Sequence, residues 1–427
     1  MANILIVYYY QEYPPRANLY DNIYSFQRYS GHSCFYLNLF FRRVPRYLMA
    51  IPFDLIVFHK TFLGFRFHQQ AFQRMLKRCG LLKKLPGIKI ALPQDEFIYT
   101  TSLCRFINNF DIRAVFSVAP PSEWPKIYTT VDHSRVQFYQ VLTGYLDEKT
   151  LKTISQLAGE TQRDLDIGYR ANPAFFLGRY GLFKSRIAEA FQAKATEFGL
   201  ITDILVSNRF KDFFWGDDWY KFMLRCKYTL GVEGGASLLD PDGAARLKIA
   251  QYQSLHPQAD FDEVEAHCFS GRDGFLDLRA LSPRHLEACA TRTCQILVEG
   301  DYNGILQPGL HYLELKKDFS NIDDLLEVIK SDTRRAEITA RAYRDIVASG
   351  RYTFANFVTY VLQQALGPER YSRKEPPSVL KIIVIHRWMV WMDRLSWFKA
   401  AIYTWIKNLI PDVWLTRLRD LRQKVQG

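Results

Sequence analysis

The sequence predicts two α/β domains, each a mostly parallel sheet covered by helices, followed by a helical tail. Three observations carry that prediction. At 427 residues the chain exceeds what one ordinary core holds, and two units of roughly 150–200 residues are the natural division. Short aliphatic runs alternate with stretches of helical periodicity, the order from which parallel sheets are built. Beyond Gly367 the composition changes to a basic segment rich in tryptophan.

The first unit is assigned to residues 1–163. ILIVYY at 4–9 is its first strand, followed by the loop QEYPPRANLYD (11–21) and a helix near Asn22–Tyr29. A loop at the carboxyl end of a strand is where an open α/β sheet places ligands; a plain connection with a Pro-Pro bend is the other reading. FDLIVF (53–58) is a buried strand that ends in His59 and Lys60, and GIKIAL (87–92) is another that runs into Pro93-Gln94-Asp95-Glu96-Phe97. Asp95 and Glu96, with His59 behind them, suit the holding of a hydroxyl or the work of a base. A helix cap beside a solvated glutamate is the competing account. AVFSV (114–118) and Gln137–Leu142 complete the sheet, and a helix reaches about Thr161.

The second unit spans 164–350. Asn172-Pro173 breaks the chain, Phe175–Leu177 is read as a short strand, and Gly178–Gly181 turns into a helix over Lys184–Phe198. Arg179 and Lys184 flank this junction, placed either to converge on an anion such as a diphosphate or to be solvated on a surface turn. TDILV (202–206) and Tyr228–Val232 are strands with a helix over Trp219–Cys226 between them. The second strand ends in Glu233-Gly234-Gly235-Ala236-Ser237, whose small residues admit a ligand close to the backbone, with Glu233 and Ser237 as polar handles. Residues 240–281 form an insertion with one helix. From Ser282 to Asp318 a helix (Arg284–Ala290), a strand (Thr293–Val298) and a glycine-marked loop follow without a break, and Glu287 is the carboxylate on that helix. After two further helices, residues 351–366 form an amphipathic helix able to cross back onto the first domain.

Charge narrows the partners. Of the +12 net charge, residues 371–427 carry eleven Lys/Arg against four Asp/Glu, so nucleic acid falls away and an anionic membrane surface comes forward. In the tail (367–427, its helical part 378–427), Trp388, Trp391, Trp397, Trp405 and Trp414 interleave with Lys381, Arg387, Arg394, Lys399 and Lys407. Helices lying in a membrane interface have this composition; a hairpin packed on the body or on a second subunit is the alternative. No window is apolar enough to span a bilayer, and the N-terminus lacks a signal pattern. The seven scattered cysteines fit a reducing cytoplasm. Asp-x-Asp pairs at 164/166, 240/242 and 260/262 follow no clear buried strand, so a metal site is not expected.

The motifs DIGYRA with LGRYGLFK, GVEGGASLLDPDG, SPRHLEACATRTCQILVEGDYNGIL and HYLELKKDFSNIDDLLEVI cover most of residues 160–330. They resemble the bacterial glycosyltransferases of the GT-B fold, in particular the group-1-like proteins of surface-polysaccharide (O-antigen and capsule) clusters. The resemblance implies two Rossmann-like domains facing across a cleft, the donor on the second and the acceptor on the first. Arg179 and Lys184, with Arg284, would neutralise the donor diphosphate in place of a metal ion. Glu287 matches the glutamate that holds the nucleotide ribose, a carboxylate accepting from two vicinal hydroxyls. The glutamate usual eight positions earlier is Arg279 here; Glu233 is the stand-in, and Arg292 occupies a place often filled by glycine. Gly234, Gly235, Ser237, Asn303 and Gly304 complete the implied donor site. The nucleotide sugar is a substrate, with no cofactor; transfer to a hydroxyl of a growing cell-surface glycan or a lipid-linked acceptor proceeds with retention. The protein is expected in the cytoplasm, on the inner face of the cytoplasmic membrane. A non-catalytic scaffold docking an assembly complex at the membrane is the second reading, and a two-domain epimerase the third.

Overall fold

The computed structural model describes residues 1–209, 212–371 and 379–409; Trp414, the rest of the tail and most of the linker lie outside them. Six strands form the first sheet: β1 (Asn3–Tyr8), β2 (Ser33–Asn38), β3 (Leu55–Phe58), β4 (Ile88–Ala91), β5 (Ile112–Ser117) and β6 (Gln137–Gln140). Their order is β2-β1-β3-β4-β5-β6, with every pairing parallel. Both faces are covered, which is why the strands are continuous apolar runs rather than alternating ones. On β1, Leu5 and Val7 join one core with Phe35, Ile56 and Phe58, while Ile4, Ile6 and Tyr8 join the opposite core with Tyr36, Leu55 and Val57.

The second sheet comprises β7 (Leu165–Ala171), β8 (Thr202–Val206), β9 (Cys226–Gly231), β12 (Cys294–Val298) and β13 (Leu313–Leu315), in the order β13-β12-β9-β7-β8 and again parallel throughout. Counted within its own domain, each sheet begins 2-1-3-4-5, and the first adds a sixth strand at the far edge. The order therefore reverses between β1 and β3 in the first sheet and between β7 and β9 in the second. Ligands bind at such reversal points, outside the carboxyl ends of the strands. Two Rossmann-like domains facing across a cleft, with a helix returning to the first, make the GT-B arrangement.

Two segments differ from the sequence reading. Phe175–Leu177 is a 3-10 turn, and the strand is the preceding LDIGYRA of β7. Gly168 interrupts that run because Cys226 and Phe222 lie against it: an added Cβ would sit 2.2 Å from Cys226 Sγ. The insertion holds two helices, Ala244–Leu255 and Phe261–Cys268, between β10 (Gly234–Ala236) and β11 (Leu278–Ala280), which pair antiparallel. It also joins the domains: Asp240 N donates to Phe97 O and Tyr99 N to Asp240 O, both at 2.8 Å.

The helix Phe354–Tyr371 crosses onto the first domain, where Phe354, Phe357, Val358, Val361 and Leu362 pack with Ile23, Phe26 and Phe116. The tail helix, Val379–Leu409, lies against β2. His386 Nε2 meets Cys34 O at 3.0 Å, and Asp393, buried on its inner face, accepts from Tyr8 Oη at 2.6 Å and from Tyr24 Oη. Packing on the body is therefore what the inner face of this helix does. No helix of the described residues is long and apolar enough to cross a membrane.

Candidate active site

The two reversal points open on one cleft of about 460 Å³. The first domain contributes Arg16 and Asn18 after β1, Lys60 after β3 and Gln94 after β4. From the second come Arg170 and Asn172 at the end of β7, Ser207 after β8, and Val232, Glu233 and Gly234 after β9. Lys184, Trp219 and Tyr220 add their side chains, as does the segment Ser282–Arg284 with Glu287. The volume is within the range of cofactor and small-ligand sites.

Positive charge predominates on one part of this lining. Lys184, on the helix Arg179–Ala195, has its pKa pulled down to about 8 by burial and by the Arg284 guanidinium, with Asp95 opposing. Lys60 is brought down to about 8 by burial as well, against the pull of Asp95 and Glu287, and its ammonium donates to Thr143 O at 3.1 Å. A depressed lysine signals desolvation that the surrounding carboxylates do not offset. Arg284 donates to Arg170 O at 2.6 Å, and Arg170 is held by Asp203 at 2.7 Å with its guanidinium 4.5 Å from the centre of the Phe222 ring. Arg16 lies 5.1 Å from the centre of the Phe213 ring and bridges to Gly216, so the first domain meets residues 212–216 of the second at this edge.

Carboxylates occupy the rest. Glu287 is buried on the helix Pro283–Ala290, accepts from Trp219 Nε1 at 2.7 Å, and has its pKa pushed up to about 7 by burial, with Trp219 and Arg284 counteracting. Glu233 accepts from Tyr302 N at 2.8 Å, and burial raises its pKa too. Gly300 gives it room, since a Cβ there would stand 2.5 Å from Glu233 Oε2. The arrangement suits a ligand with a polyanionic middle and a hydroxyl-rich group: cations at the domain junction, Glu287 beside them, and an aromatic side formed by Phe213, Phe214 and Trp219.

Several sequence-predicted residues lie elsewhere. Arg179 pairs with Asp273 at 3.3 Å and its side chain is 61% exposed; five positions on a 3.6-residue helix turn it away from Lys184. The cation that acts on Lys184 within the cleft is Arg284. Ser237 is buried and donates to Asp273 at 2.7 Å, and Gly235, at φ +122°, is pressed against Leu278 O within the β10–β11 ribbon. Of that loop, Glu233 and Gly234 face the cleft. Asn303 spends its Oδ1 on Leu281 N at 2.5 Å and Gly304 continues the same turn, so both shape the approach to Ser282 without lining the cleft.

The first-domain assignments change in the same way. Glu96 is fully buried and accepts from Ser117 Oγ at 2.5 Å, Val118 N at 2.8 Å and Tyr128 Oη, so it is a structural acid. His59 caps the helix Lys60–Gly64 and meets Asn22 Oδ1 at 2.5 Å, with burial holding its pKa well down. Asp95 alone of the three is exposed, on left-handed backbone (φ 54°), and its charge acts on both Lys60 and Lys184. Arg292, at the position where glycine is common, takes φ 52° and stacks 3.8 Å above the Tyr343 ring. Asp240 and Asp260 cap helices, and among the described residues no group of three metal-ligating side chains converges.

Arg16, Lys60, Arg170 and Trp219 are the residues not singled out beforehand. Lys60 carries a signal, standing two residues past the end of β3, and Arg16 lies at the far end of the loop that follows β1. Trp219 carried none, because only the fold turns its ring nitrogen toward Glu287.

No family model and no curated relative matches the chain. Among solved structures, Anabaena HepE in complex with UDP-glucose is 11% identical over 85% of this chain and 100% of its own, with a TM-score of 0.43. OtsA without ligand is 10% identical over 88% and 100%, at 0.45. An alpha-glucosyltransferase in complex with UDP-glucose and DNA containing an abasic site is 10% identical over 85% and 98%, at 0.47. Likenesses of this size do not bear on activity, which rests on the cleft itself.

Proposed function

We propose that the protein transfers a glycosyl group from a nucleotide sugar to a hydroxyl. The observation that carries this is the meeting of Glu287 with Lys184, Arg284, Lys60 and Arg16 in one cleft, where both sheets reverse strand order. In this reading Glu287 accepts from the ribose hydroxyls. Lys184 and Arg284, joined by Lys60 across the cleft, take the diphosphate. Departure of a nucleoside diphosphate gathers negative charge there, and cations already fixed and partly desolvated stabilise it without reorganising. Asp95, whose charge acts on Lys60 and Lys184 from the first-domain side, is the acid this reading assigns to the acceptor hydroxyl; Gln94 next to it lines the cleft. Retention, independence of metal, and an acceptor that is a surface glycan or lipid-linked saccharide follow the sequence resemblance. Seven buried, unpaired cysteines agree with a reducing cytoplasm.

The test is a calorimetric and thermal-shift screen of UDP, GDP, CMP and their sugars, followed by assay of nucleoside diphosphate release. Lys184→Met and Glu287→Ala are expected to weaken nucleotide binding roughly tenfold or more. Full affinity in both variants would remove the assignment.

A further inference from the structure

The tail helix has a second face that the body does not cover. Val384, Trp388, Trp391, Phe398, Ile402 and Trp405 recur at spacings that return to one side of a helix, over about 30 Å. They are exposed, Val384 by 61%, Phe398 by 62% and Trp405 by 64%. The exposed charges beside this stripe, Arg387, Arg394 and Lys399, are all positive. The one acid of this helix, Asp393, is turned inward onto Tyr8 and Tyr24.

A second feature adjoins it. A pocket of about 500 Å³ is lined by Tyr9, Phe40 and Phe65 together with Arg42, Arg74 and Arg78. One terminal nitrogen of Arg42 is buried there without a hydrogen-bond partner. Phe40 meets Tyr403 of the tail helix at 5.6 Å between ring centres, so pocket and helix share a flank with Lys399, one turn before Tyr403. Between residues 42 and 89 the chain has eleven Lys/Arg and a single acid, Asp54, whose carboxylate accepts from Asn3 N.

We propose that this face docks on an anionic phospholipid bilayer, the stripe entering the interface and the arginine pocket receiving phosphate head groups. Apolar and aromatic side chains flanked by cations are what a lipid interface takes up. A second copy fits less well, since like charges would face one another across the seam. The helix that carries the docking stripe also reaches toward the cleft from its buried side: Tyr13 N donates to Thr404 Oγ1 at 2.9 Å, and the chain runs on from there to Arg16. If the glycosyl-transfer reading holds, a lipid-borne acceptor would arrive at that side; the docking itself does not depend on it.

The experiment is co-sedimentation of the full chain with phosphatidylglycerol/phosphatidylcholine vesicles and with phosphatidylcholine alone, with tryptophan emission recorded in parallel. Binding to the anionic vesicles with a blue shift is expected, and Trp391→Glu with Phe398→Glu should abolish it. Arg74→Glu with Arg78→Glu should weaken it at least roughly tenfold. Both variants should keep the thermal unfolding and nucleotide binding of the parent, which separates this outcome from failure of the cleft assignment. Inorganic phosphate at matched ionic strength should not displace the protein. Equal affinity for neutral vesicles, no binding at low salt, displacement by free phosphate, or a dimer dissolved by the Trp391/Phe398 changes would each overturn the proposal.

Discussion

Glu287→Gln should make the unliganded protein more stable above neutral pH and a poorer binder of nucleotide. A carboxyl whose pKa is about 7 in the folded state and 4.5 in the unfolded one takes up a proton on folding between those values. Below the lower value both states are protonated and the group is neutral in its effect. As pH rises toward 7 the unfolded chain releases the proton first, so folding stability falls and then stays low. The cost at the plateau is about 3 kcal/mol as an upper figure. Glutamine keeps an oxygen for Trp219 Nε1 and has no charge to desolvate. The variant should therefore match the parent near the lower pKa and melt several degrees higher above neutral pH. Calorimetry should show weaker nucleotide binding, because an amide cannot accept from two ribose hydroxyls as a carboxylate does. Equal pH dependence of melting in parent and variant would refute the burial argument. Unchanged affinity alongside the stability gain would instead remove Glu287 from the ligand.

Arg179→Ala should leave nucleotide affinity unchanged within error in the same titration, because its guanidinium is on Asp273 and largely in solvent. Asp393→Ala strands the hydroxyls of Tyr8 and Tyr24 under the tail helix and should lower stability by about 2–4 kcal/mol in chemical unfolding. Asp393→Asn, which still offers an acceptor, should lose far less.

The fold was legible because its strands are buried on both faces, and continuous runs such as ILIVYY and CQILV announce that directly. The strand at LDIGYRA was obscured by Gly168, whose presence answers to Cys226 and Phe222, residues far along the chain. The same division separates the site residues. Glu287 and Lys184 stand in the cleft, and Lys60 follows a strand end, where position alone is informative. Glu96 and His59 looked like chemistry for the same reason, yet three donors close on one and a helix cap claims the other. Whether a polar side chain at a strand end points to a ligand or to its own scaffold depends on partners that the local sequence does not contain. Trp397 illustrates the tail: its ring nitrogen donates to Tyr24 Oη, so one tryptophan faces the body while its neighbours Trp391 and Trp405 face outward.

Lys60, Lys184 and Glu287 together predict a change of sign in the proton count of binding. Each lysine is held at about 8, below its ordinary 10.5, so above that point the free cleft carries partly neutral amines. A diphosphate favours the ammonium form and would draw protons onto them. Near neutral pH the lysines are already charged, and Glu287, about half protonated, must release its proton to accept ribose hydroxyls. Binding of a nucleoside diphosphate should therefore release protons near pH 7 and take them up above about pH 8, each by a fraction of one proton per site. Calorimetry in two buffers of different ionisation enthalpy reads this count directly. Lys184→Met should remove much of the uptake, and Glu287→Gln the release. A proton count with the same sign across that interval would show that the anion and the hydroxyls of the ligand do not meet these three groups.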